Sequence, residues 1–362
     1  MLRTVVVLFG GRSSEHGVSC VTAGGVLGAI DRDKWNVVAV GITGAGRWVH
    51  VSDDPEAWQI RDGKMPVVSD AGETVLPPRH AGESQWRVIT EAGQVNDLAH
   101  VDVVFPVLHG PWGEDGTVQG ALELVDVRYV GSGVLASAAG MDKQFMKAAF
   151  RDAGLPVAAD VTLMRGDSLE ARMDDVRALG LPVFVKPARA GSSMGISKVA
   201  DLADLPAAIA EAIKHDPKVL IEQAMVGREI ETAVLERTDT VVASQPSEIV
   251  THGDHEFYDF EAKYLDAASV ELRMADDLDA ETTALIGWIS LRAFRAVGAE
   301  GLARVDVFLA SDGTVTVNEI NTMPGFTPTS QYPRMWAAGG VEFEELVETL
   351  LETALNRPLG LR

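Results

Sequence analysis

The chain has 362 residues and is 46% hydrophobic, which is enough for two or three compact domains with cores of their own. Its formal net charge of -22, with no run of Lys or Arg, argues against nucleic acid or an anionic membrane as a partner, because both require a basic surface. The single cysteine, Cys20, excludes an internal disulfide, a cysteine-rich zinc site and a redox pair, and it favours a reducing, cytoplasmic compartment.

The chain opens with a β-α-β unit. Residues 4–9 form an apolar strand that runs into Gly10 and Gly11, and a helix to about residue 30 and a strand at Trp35–Ile42 follow. The turn between strand and helix presents backbone amides at a helix N-terminus, where anions bind. The first strand is too short for a signal peptide, and no apolar run approaches the roughly 18 residues of a membrane span.

Residues 44–100 are polar and rich in glycine and proline, so we expect them to elaborate one edge of this unit. A strand at 101–108 then runs into His109-Gly-Pro-Trp-Gly-Glu-Asp-Gly-Thr117. Together these elements predict a small doubly wound parallel-sheet domain with its loops at the carboxyl ends of the strands. An NAD-dependent oxidoreductase is disfavoured, because Gly10-Gly11 lacks the Gly-x-Gly-x-x-Gly spacing and no clear acid follows about 20 residues later.

A second unit begins after Gly133. Asp142 is suited to cap a helix that carries Lys143 and Lys147 and ends before Gly154. The rest of this α+β unit comprises a helix at 205–214 and strands at 157–164, 182–187, 196–199 and 219–223.

A third unit follows Met225. It contains strands at 229–235 and 241–250, a long helix at 279–298, a hairpin at 303–325 and a final helix whose apolar residues recur at helical spacing from Val341 onward. The predicted domains therefore cover residues 1–140, 141–224 and 225–362.

The hairpin carries the strongest chemical signal. Asp312-Gly313 joins two alternating strands, so that Arg304 and Asp306 share one face of the first strand, as Glu319 and Asn321 do on the second. If the register brings these faces together, three oxygen ligands converge beside one cation, which is typical of a magnesium site that a substrate phosphate completes. The alternative is a hairpin with a solvated polar face.

A glycine- and serine-rich loop at 186–195 joins two strands of the central unit. Its backbone amides can approach a polyphosphate while Lys186 supplies charge. It is not a P-loop, because Gly-x4-Gly-Lys-Ser/Thr is absent from the chain. Such a loop alone is commonly a flexible connector. Because Glu222 and Glu229 could hold ribose hydroxyls and the adenine edge, the two segments together predict a nucleotide clamp.

From its first strand to its last helix, the chain resembles the D-alanine:D-alanine ligase family of the ATP-grasp superfamily. The resemblance lies in separate motifs in the right order, at residues 10–19, 108–117, 186–198, 257–264, 301–306 and 325–330. It implies a three-domain α/β ATP-grasp architecture, in which an N-terminal doubly wound parallel-sheet domain precedes two α+β domains that clamp the nucleotide.

The resemblance also implies a reaction and a nucleotide site. ATP phosphorylates the carboxylate of one D-alanine, and the amine of a second attacks the acyl phosphate to give the dipeptide, ADP and phosphate. Two Mg²⁺ or Mn²⁺ ions would be held by Asp306, Glu319 and Asn321, and a monovalent cation is left open. The residues implied for ATP are Lys143, Lys186, Gly191, Ser193, Glu222, Met225, Glu229, Phe257 and Lys263.

Further residues match the family's substrate pocket. Glu15 matches the acid that anchors the ammonium of the first D-alanine, and His109 lies in the same pocket. Arg304 is suited to stabilise the oxyanion of the tetrahedral intermediate. The amide of Gly325 and the hydroxyl of Ser330 match the cradle for the second carboxylate. The residues implied in catalysis are Glu15, Ser192, Tyr264 and Arg304.

Tyr264 and Gln331 bear on the second substrate. Ligases of the family that use D-lactate lack this tyrosine, whereas those that form D-Ala-D-Ala link it to Ser192 and Glu15, so D-alanine is expected here. Gln331 stands where many relatives carry an apolar residue, which leaves tolerance for D-serine open.

Residues 251–266 predict a lid. The segment is polar and holds Lys263 and Tyr264 at its far end, so we expect it to close over ATP and D-alanine and to shield the acyl phosphate from water.

These observations predict a cytoplasmic enzyme of peptidoglycan precursor synthesis, a homodimer by family analogy, with ATP and D-alanine as small-molecule partners. One alternative is a ligase that takes D-serine or D-lactate. The other is a catalytically silent Mg-ATP-binding protein, against which the intact metal residues and Arg304 argue.

Overall fold

The structure, a computed structural model, describes residues 2–191, 194–238, 240–251 and 270–360, in which helices cover three β-sheets. The strands are β1 (Arg3–Gly10), β2 (Trp35–Ile42), β3 (Trp48–His50), β4 (Thr74–Leu76), β5 (Gln85–Ile89), β6 (Val95–His100), β7 (Val103–Pro106), β8 (Asp160–Met164), β9 (Val183–Pro187), β10 (Ser197–Val199), β11 (Lys218–Gln223), β12 (Arg228–Arg237), β13 (Thr240–Ala243), β14 (Ser247–Thr251), β15 (Val270–Met274), β16 (Leu302–Leu309) and β17 (Val315–Asn321). The helices are α1 (His16–Ala29), α2 (Thr117–Glu123), α3 (Val134–Met141), α4 (Lys143–Asp152), α5 (Met173–Ala178), α6 (Leu205–His215), α7 (Ala280–Ala296), α8 (Gln331–Ala338) and α9 (Phe343–Asn356). Within the described ranges, no helix is long and apolar enough to cross a membrane.

The first sheet has the strand order β6-β5-β4-β3-β2-β1-β7. Strands β2 and β7 flank β1 and run parallel to it, while β3 to β6 extend the sheet as antiparallel strands. The predicted parallel unit and its elaborated edge are thereby confirmed. Strand β1 is buried from Thr4 to Gly10, as expected for a parallel strand covered on both faces. Because β1 and β7 are parallel, the loops that follow them emerge at the same edge of the sheet.

The second sheet has the order β10-β9-β11-β8 and packs against α5 and α6. Asp142 caps α4 as predicted, because its carboxylate accepts hydrogen bonds from the amides of Gln144 and Phe145. Helix α5 is absent from the sequence prediction, since six residues are too few to reveal a helical period.

The third sheet has the order β15-β14-β12-β16-β17, and β13 also pairs with β12. The prediction of one strand at 241–250 is wrong. Pro246 interrupts this stretch, because it has no amide to donate, and leaves β13 and β14 as separate strands that pair with different parts of β12. The final helix begins at Phe343, so that Val341 packs ahead of it and not within it.

The C-terminal helices fold back onto the first sheet. Phe326, Tyr332 and Leu350 share one apolar core with Phe105 of β7, and the rings of Phe105 and Phe326 lie 5.8 Å apart. This packing brings the segment that follows β17 alongside the loop after β7, where the ring nitrogen Nδ1 of His109 lies 3.2 Å from a backbone oxygen of that segment. Both ends of the chain therefore contribute to one region.

A β-bulge interrupts the predicted hairpin of β16 and β17. Asp306 lies opposite Glu319, but the next residue, Val307, already lies opposite Val317, so Asn318 is an extra residue. The bulge reverses the alternation of β17, and the residues that enter the core are Val315, Val317 and Ile320. Glu319 consequently faces Asp306 on the side of the hairpin away from this core.

Candidate active site

A cavity of about 540 Å³ lies where residues of the three sheets meet. Every predicted site residue that the structure describes lines it: Glu15, His109, Lys143, Lys186, Gly191, Glu222, Met225, Glu229, Arg304, Asp306, Glu319, Asn321, Gly325 and Ser330. Ser192, Ser193, Phe257, Lys263 and Tyr264, and the predicted lid from residue 252 onward, lie outside the described residues. The cavity also takes in Ile60 and Met65, from the edge segment to which the sequence assigned no function.

Arg304 is held by two acids at this cavity. Its Nε and Nη2 donate to the two carboxylate oxygens of Asp306, each over 2.7 Å, and Nε also lies 3.0 Å from Oε1 of Glu231 on β12. Burial alone would lower the pKa of the guanidinium, but its attraction to Asp306 and Glu231 outweighs burial and raises the pKa. Arg304 is thus a fixed cation. Glu231 is not recognisable from the sequence, because only the pairing of β12 with β16 brings it to the arginine.

Asp306, Glu319 and Asn321 meet beside this arginine. Asp306 and Glu319 are strand partners, Nδ2 of Asn321 lies 3.2 Å from Oδ2 of Asp306, and Nζ of Lys143 lies 3.6 Å from Oε2 of Glu319. In the described parts of the chain, no group of three or more His, Cys, Asp or Glu side chains is placed to hold a metal ion. Two carboxylates and a carboxamide are nevertheless hard oxygen donors of the kind that Mg²⁺ takes together with phosphate and water oxygens. The residues therefore fit a magnesium ion that a bound nucleotide helps to hold.

Two lysines share the carboxylate of Glu222. Lys147 pairs with Oε1 and Lys186 with Oε2, and Lys147 also lies 3.5 Å from Oδ1 of Asp160. Burial would raise the pKa of Glu222, but the two lysines outweigh it and lower the pKa, so the carboxylate stays charged. Burial lowers the pKa of Lys147, against the opposite pull of Glu222. Lys147 lies one helical turn after Lys143, on the same face of α4. In the sequence, this spacing is the indication that Lys147 lies near the site.

Lys143 links the glycine-rich loop to the hairpin. Its Nζ donates to the backbone oxygen of Ala190 over 3.1 Å, and its amide donates to the backbone oxygen of Ala188 over 3.0 Å. Arg189, between these two residues, donates to Asp216 from Nε over 3.0 Å and from Nη2 over 2.7 Å. The start of the loop is therefore fixed beside the carboxylate of Glu319.

Glu15 is the last residue of the loop that follows β1, and it lines the cavity from the side of the first sheet. It is buried, and a side chain at Gly110 would collide with its carboxylate. His109 is also buried, with Nε2 lying 3.0 Å from the hydroxyl of Thr22 and Nδ1 lying 3.2 Å from the backbone oxygen of Met323. Burial lowers the pKa of His109, although Glu15 opposes this, so the imidazole is neutral at neutral pH.

Glu114 is a second acid near Glu15. Its Oε2 accepts the amide hydrogen of Gly110 over 2.6 Å. Burial, and then the charge of Glu15, raise the pKa of Glu114 to about 8. The carboxyl group is therefore protonated at neutral pH. The motif at 109–117 gives no sign of this, since nothing in one sequence shows that two acids will be neighbours.

Ser330 and Gly325 lie together at the opposite end of the chain. Oγ of Ser330 accepts from the amide of Thr327 over 3.1 Å, and a side chain at Gly325 would come within 3.2 Å of the same Oγ. Gln331 follows at the start of α8. It is buried and lines the cavity, and its Nε2 has no hydrogen-bond partner in the part of the chain that the structure describes.

Comparison with known proteins points in one direction. Residues 4–132 match the family model described as D-ala D-ala ligase N-terminus, and residues 149–352 match the model described as D-ala D-ala ligase C-terminus. The D-alanine--D-alanine ligase of Arthrobacter sp. (strain FB24) is 55% identical and aligns with 99% of this chain and 95% of its own length. That of Mycobacterium avium (strain 104) is 51% identical and aligns with 99% of this chain and 98% of its own.

Solved structures give the same result. The VanG D-Ala:D-Ser ligase from Enterococcus faecalis superposes with a TM-score of 0.84 at 34% identity, covering 98% of this chain and 100% of that one. The D-alanine-D-alanine ligase from Coxiella burnetii superposes with a TM-score of 0.83 at 31% identity, covering 98% and 94%. With both family models matched in order and the relatives aligned over nearly their full length, the chain belongs to the D-alanine–D-alanine ligase family.

Proposed function

We propose that this protein is an ATP-dependent ligase that joins two D-alanines into D-alanyl-D-alanine. The observation that carries the proposal is the convergence of Glu15, Lys186 and the Arg304 hairpin on one cavity, in a chain of this family. An ammonium group, a polyphosphate and a carboxylate would each meet the opposite charge there. Phosphorylation of the first carboxylate makes it reactive, and the second amine displaces phosphate to form the peptide bond.

ATP and magnesium would occupy the side of the cavity formed by the hairpin and the central sheet. Asp306, Glu319 and Asn321 would hold two Mg²⁺ or Mn²⁺ ions, which would neutralise phosphate charge as it develops. Lys143 and Lys186 would contact the phosphates. By resemblance, the other nucleotide contacts are Gly191, Ser193, Glu222, Met225, Glu229, Phe257 and Lys263.

D-alanine would lie between the two ends of the chain. Glu15 would hold the ammonium of the first D-alanine beside neutral His109, and Gly325 and Ser330 would hold the carboxylate of the second. Arg304 would stabilise the oxyanion that develops when the amine attacks. Ser192 and Tyr264 complete the proposal by resemblance.

The wider proposals rest on family analogy. The three sheets support domains at residues 1–140, 141–224 and 225–362. We place the protein in the cytoplasm, in peptidoglycan precursor synthesis, as a homodimer without nucleic-acid or membrane partners.

D-serine is a second candidate for the acceptor, and Gln331 favours it. The buried Nε2 of Gln331 has no partner among the described residues, which is costly, and a hydroxyl group on the acceptor could accept a hydrogen bond from it. The VanG relative, whose name specifies D-Ala:D-Ser ligation, supports this candidate because it has the same fold.

One assay separates these functions. ADP and phosphate release would be measured with Mg-ATP and D-alanine, L-alanine, D-serine or D-lactate, with Arg304→Ala as the inactive control. We expect release with D-alanine and not with L-alanine. Binding of Mg-ATP without D-alanine-dependent phosphate release would identify a silent nucleotide-binding protein, and a preference for D-serine or D-lactate as the second substrate would replace D-alanine as the acceptor.

A further inference from the structure

Two acids, a buried one on β12 and a partly exposed one on β16, contact one arginine at the wall of the cavity. Asp306 uses both of its carboxylate oxygens on Arg304, at 2.7 Å each, while Oε1 of Glu231 lies 3.0 Å from Nε of the same guanidinium. Glu231 and Asp306 are direct partners on the neighbouring strands β12 and β16, and only 2% of Glu231 is exposed. The arginine is therefore held from two sides by strands that are themselves fixed in one sheet.

In the proposed metal site, the binding of a magnesium ion by Asp306 would compete with the hydrogen bonds that Asp306 accepts from Arg304. A magnesium ion held by Asp306 would share its two carboxylate oxygens with Arg304. The ion would draw charge away from the hydrogen bonds of Nε and Nη2 and would repel the guanidinium, so the contact with Asp306 would weaken. Without another acid, a largely buried guanidinium would then be poorly paired, which is costly. Glu231 is placed to prevent this through Nε.

We propose that Glu231 is a positioning residue for the ligation reaction, which retains Arg304 when Asp306 is taken up by the metal. The inference rests on the proposed metal ligation by Asp306. Glu231 keeps hold of Nε, so that the guanidinium stays at a fixed place from which it can donate to the oxyanion. Metal binding by Asp306 and the position of Arg304 would thus be linked through the carboxylate of Glu231.

The test uses Glu231→Gln, which keeps the size of the side chain but removes its charge. In this variant Arg304 keeps its two hydrogen bonds to Asp306 but loses the charge of Glu231, so its pair with Asp306 should compete more strongly with the metal. With saturating ADP present, the dissociation constant for Mn²⁺, followed by electron paramagnetic resonance, should rise about tenfold. At saturating metal kcat should remain about tenfold lower, while KM for ATP changes little.

Glu248→Gln is the matched control. Glu248 is a buried acid of the same sheet that pairs with Arg228 and Arg273 and does not line the cavity. We expect this variant to lose stability but to keep the affinity for Mn²⁺ and kcat. Glu231→Asp, which keeps the charge, should recover part of both losses.

Three results would contradict the inference. Equal Mn²⁺ affinity and equal turnover in Glu231→Gln and the wild type would show that Glu231 is purely structural. Full recovery of kcat at saturating metal would reduce Glu231 to a general contributor of negative charge. Failure of the wild type itself to bind Mn²⁺ with ADP would instead overturn the metal assignment, and the inference with it.

Discussion

The ammonium of Lys147 is paired with the carboxylate of Glu222 inside the protein, with only 1% and 9% of the two side chains exposed. Lys147→Met would leave Glu222 with Lys186 as its one remaining cation among the described residues, so we expect the free energy of unfolding to fall by about 3 kcal/mol. It would be measured by urea denaturation. In the double variant with Glu222→Gln the two losses should not add, because the contact between Lys147 and Glu222 is removed in each single variant, although Lys186 then loses its carboxylate as well. Losses that simply add in the double variant would show that the two side chains are not coupled.

Glu319→Gln should weaken the metal site while the fold survives. The change keeps the shape of the side chain but removes one charge that would face two divalent ions, so turnover should drop by orders of magnitude and depend more steeply on magnesium. Asp312→Asn, at the exposed turn of the same hairpin, is the control. Near-normal activity of Glu319→Gln across magnesium concentrations would remove this residue from the metal site.

Arg304→Ala should reduce turnover more than ATP affinity. The loss of one preorganised oxyanion donor costs roughly 100- to 1000-fold in rate. Arg304→Lys should recover little, because an ammonium cannot reproduce the paired contacts of Nε and Nη2 with Asp306. Steady-state kinetics and nucleotide titration would be compared. If ATP affinity fell while turnover of the bound complex stayed normal, Arg304 would belong to nucleotide binding.

Glu114 should make the protein less stable as pH rises. Its pKa is raised from 4.5 to about 8 in the folded state, so between these values the folded protein keeps a proton that the unfolded chain releases. The stabilisation is fully present below the unfolded pKa and is lost as pH rises through the folded one, by up to about 1.4 kcal/mol per pH unit. The Tm of Glu114→Gln, measured between about pH 5 and about pH 9, should therefore fall less than that of the wild type. Parallel curves for the two proteins would contradict the raised pKa, and Glu56→Gln, at an exposed position, serves as the control.

The sequence predicts the hairpin because its signals are local. Asp312-Gly313 fixes the turn, and alternation assigns Arg304 and Asp306 to one face. The bulge at Asn318 could not be predicted, since an extra residue in a ladder leaves no local mark. Helix α5 was not predicted because it is too short to show a helical period. The break at Pro246 was not predicted because it depends on how β13 and β14 pair with β12.

The partners of the site residues were the harder part. Lys186 and Glu222 were each predicted for the nucleotide, but their pairing with each other and with Lys147 depends on how α4 packs against the central sheet. Glu231 reaches Arg304 only through strand pairing. A single sequence indicates which side chains carry chemistry. Which of them neutralise one another is decided by tertiary structure.

The bulge at Asn318 also determines at which position the hairpin of β16 and β17 can lose one residue. Deleting Asn318 would remove the bulge yet leave Glu319 opposite Asp306. Deleting Ile320 would instead turn Asn321 into the core and expose an apolar gap behind it. At position 318 a one-residue deletion therefore keeps both the core and the face that carries Asp306 and Glu319, whereas two positions further along it disrupts both.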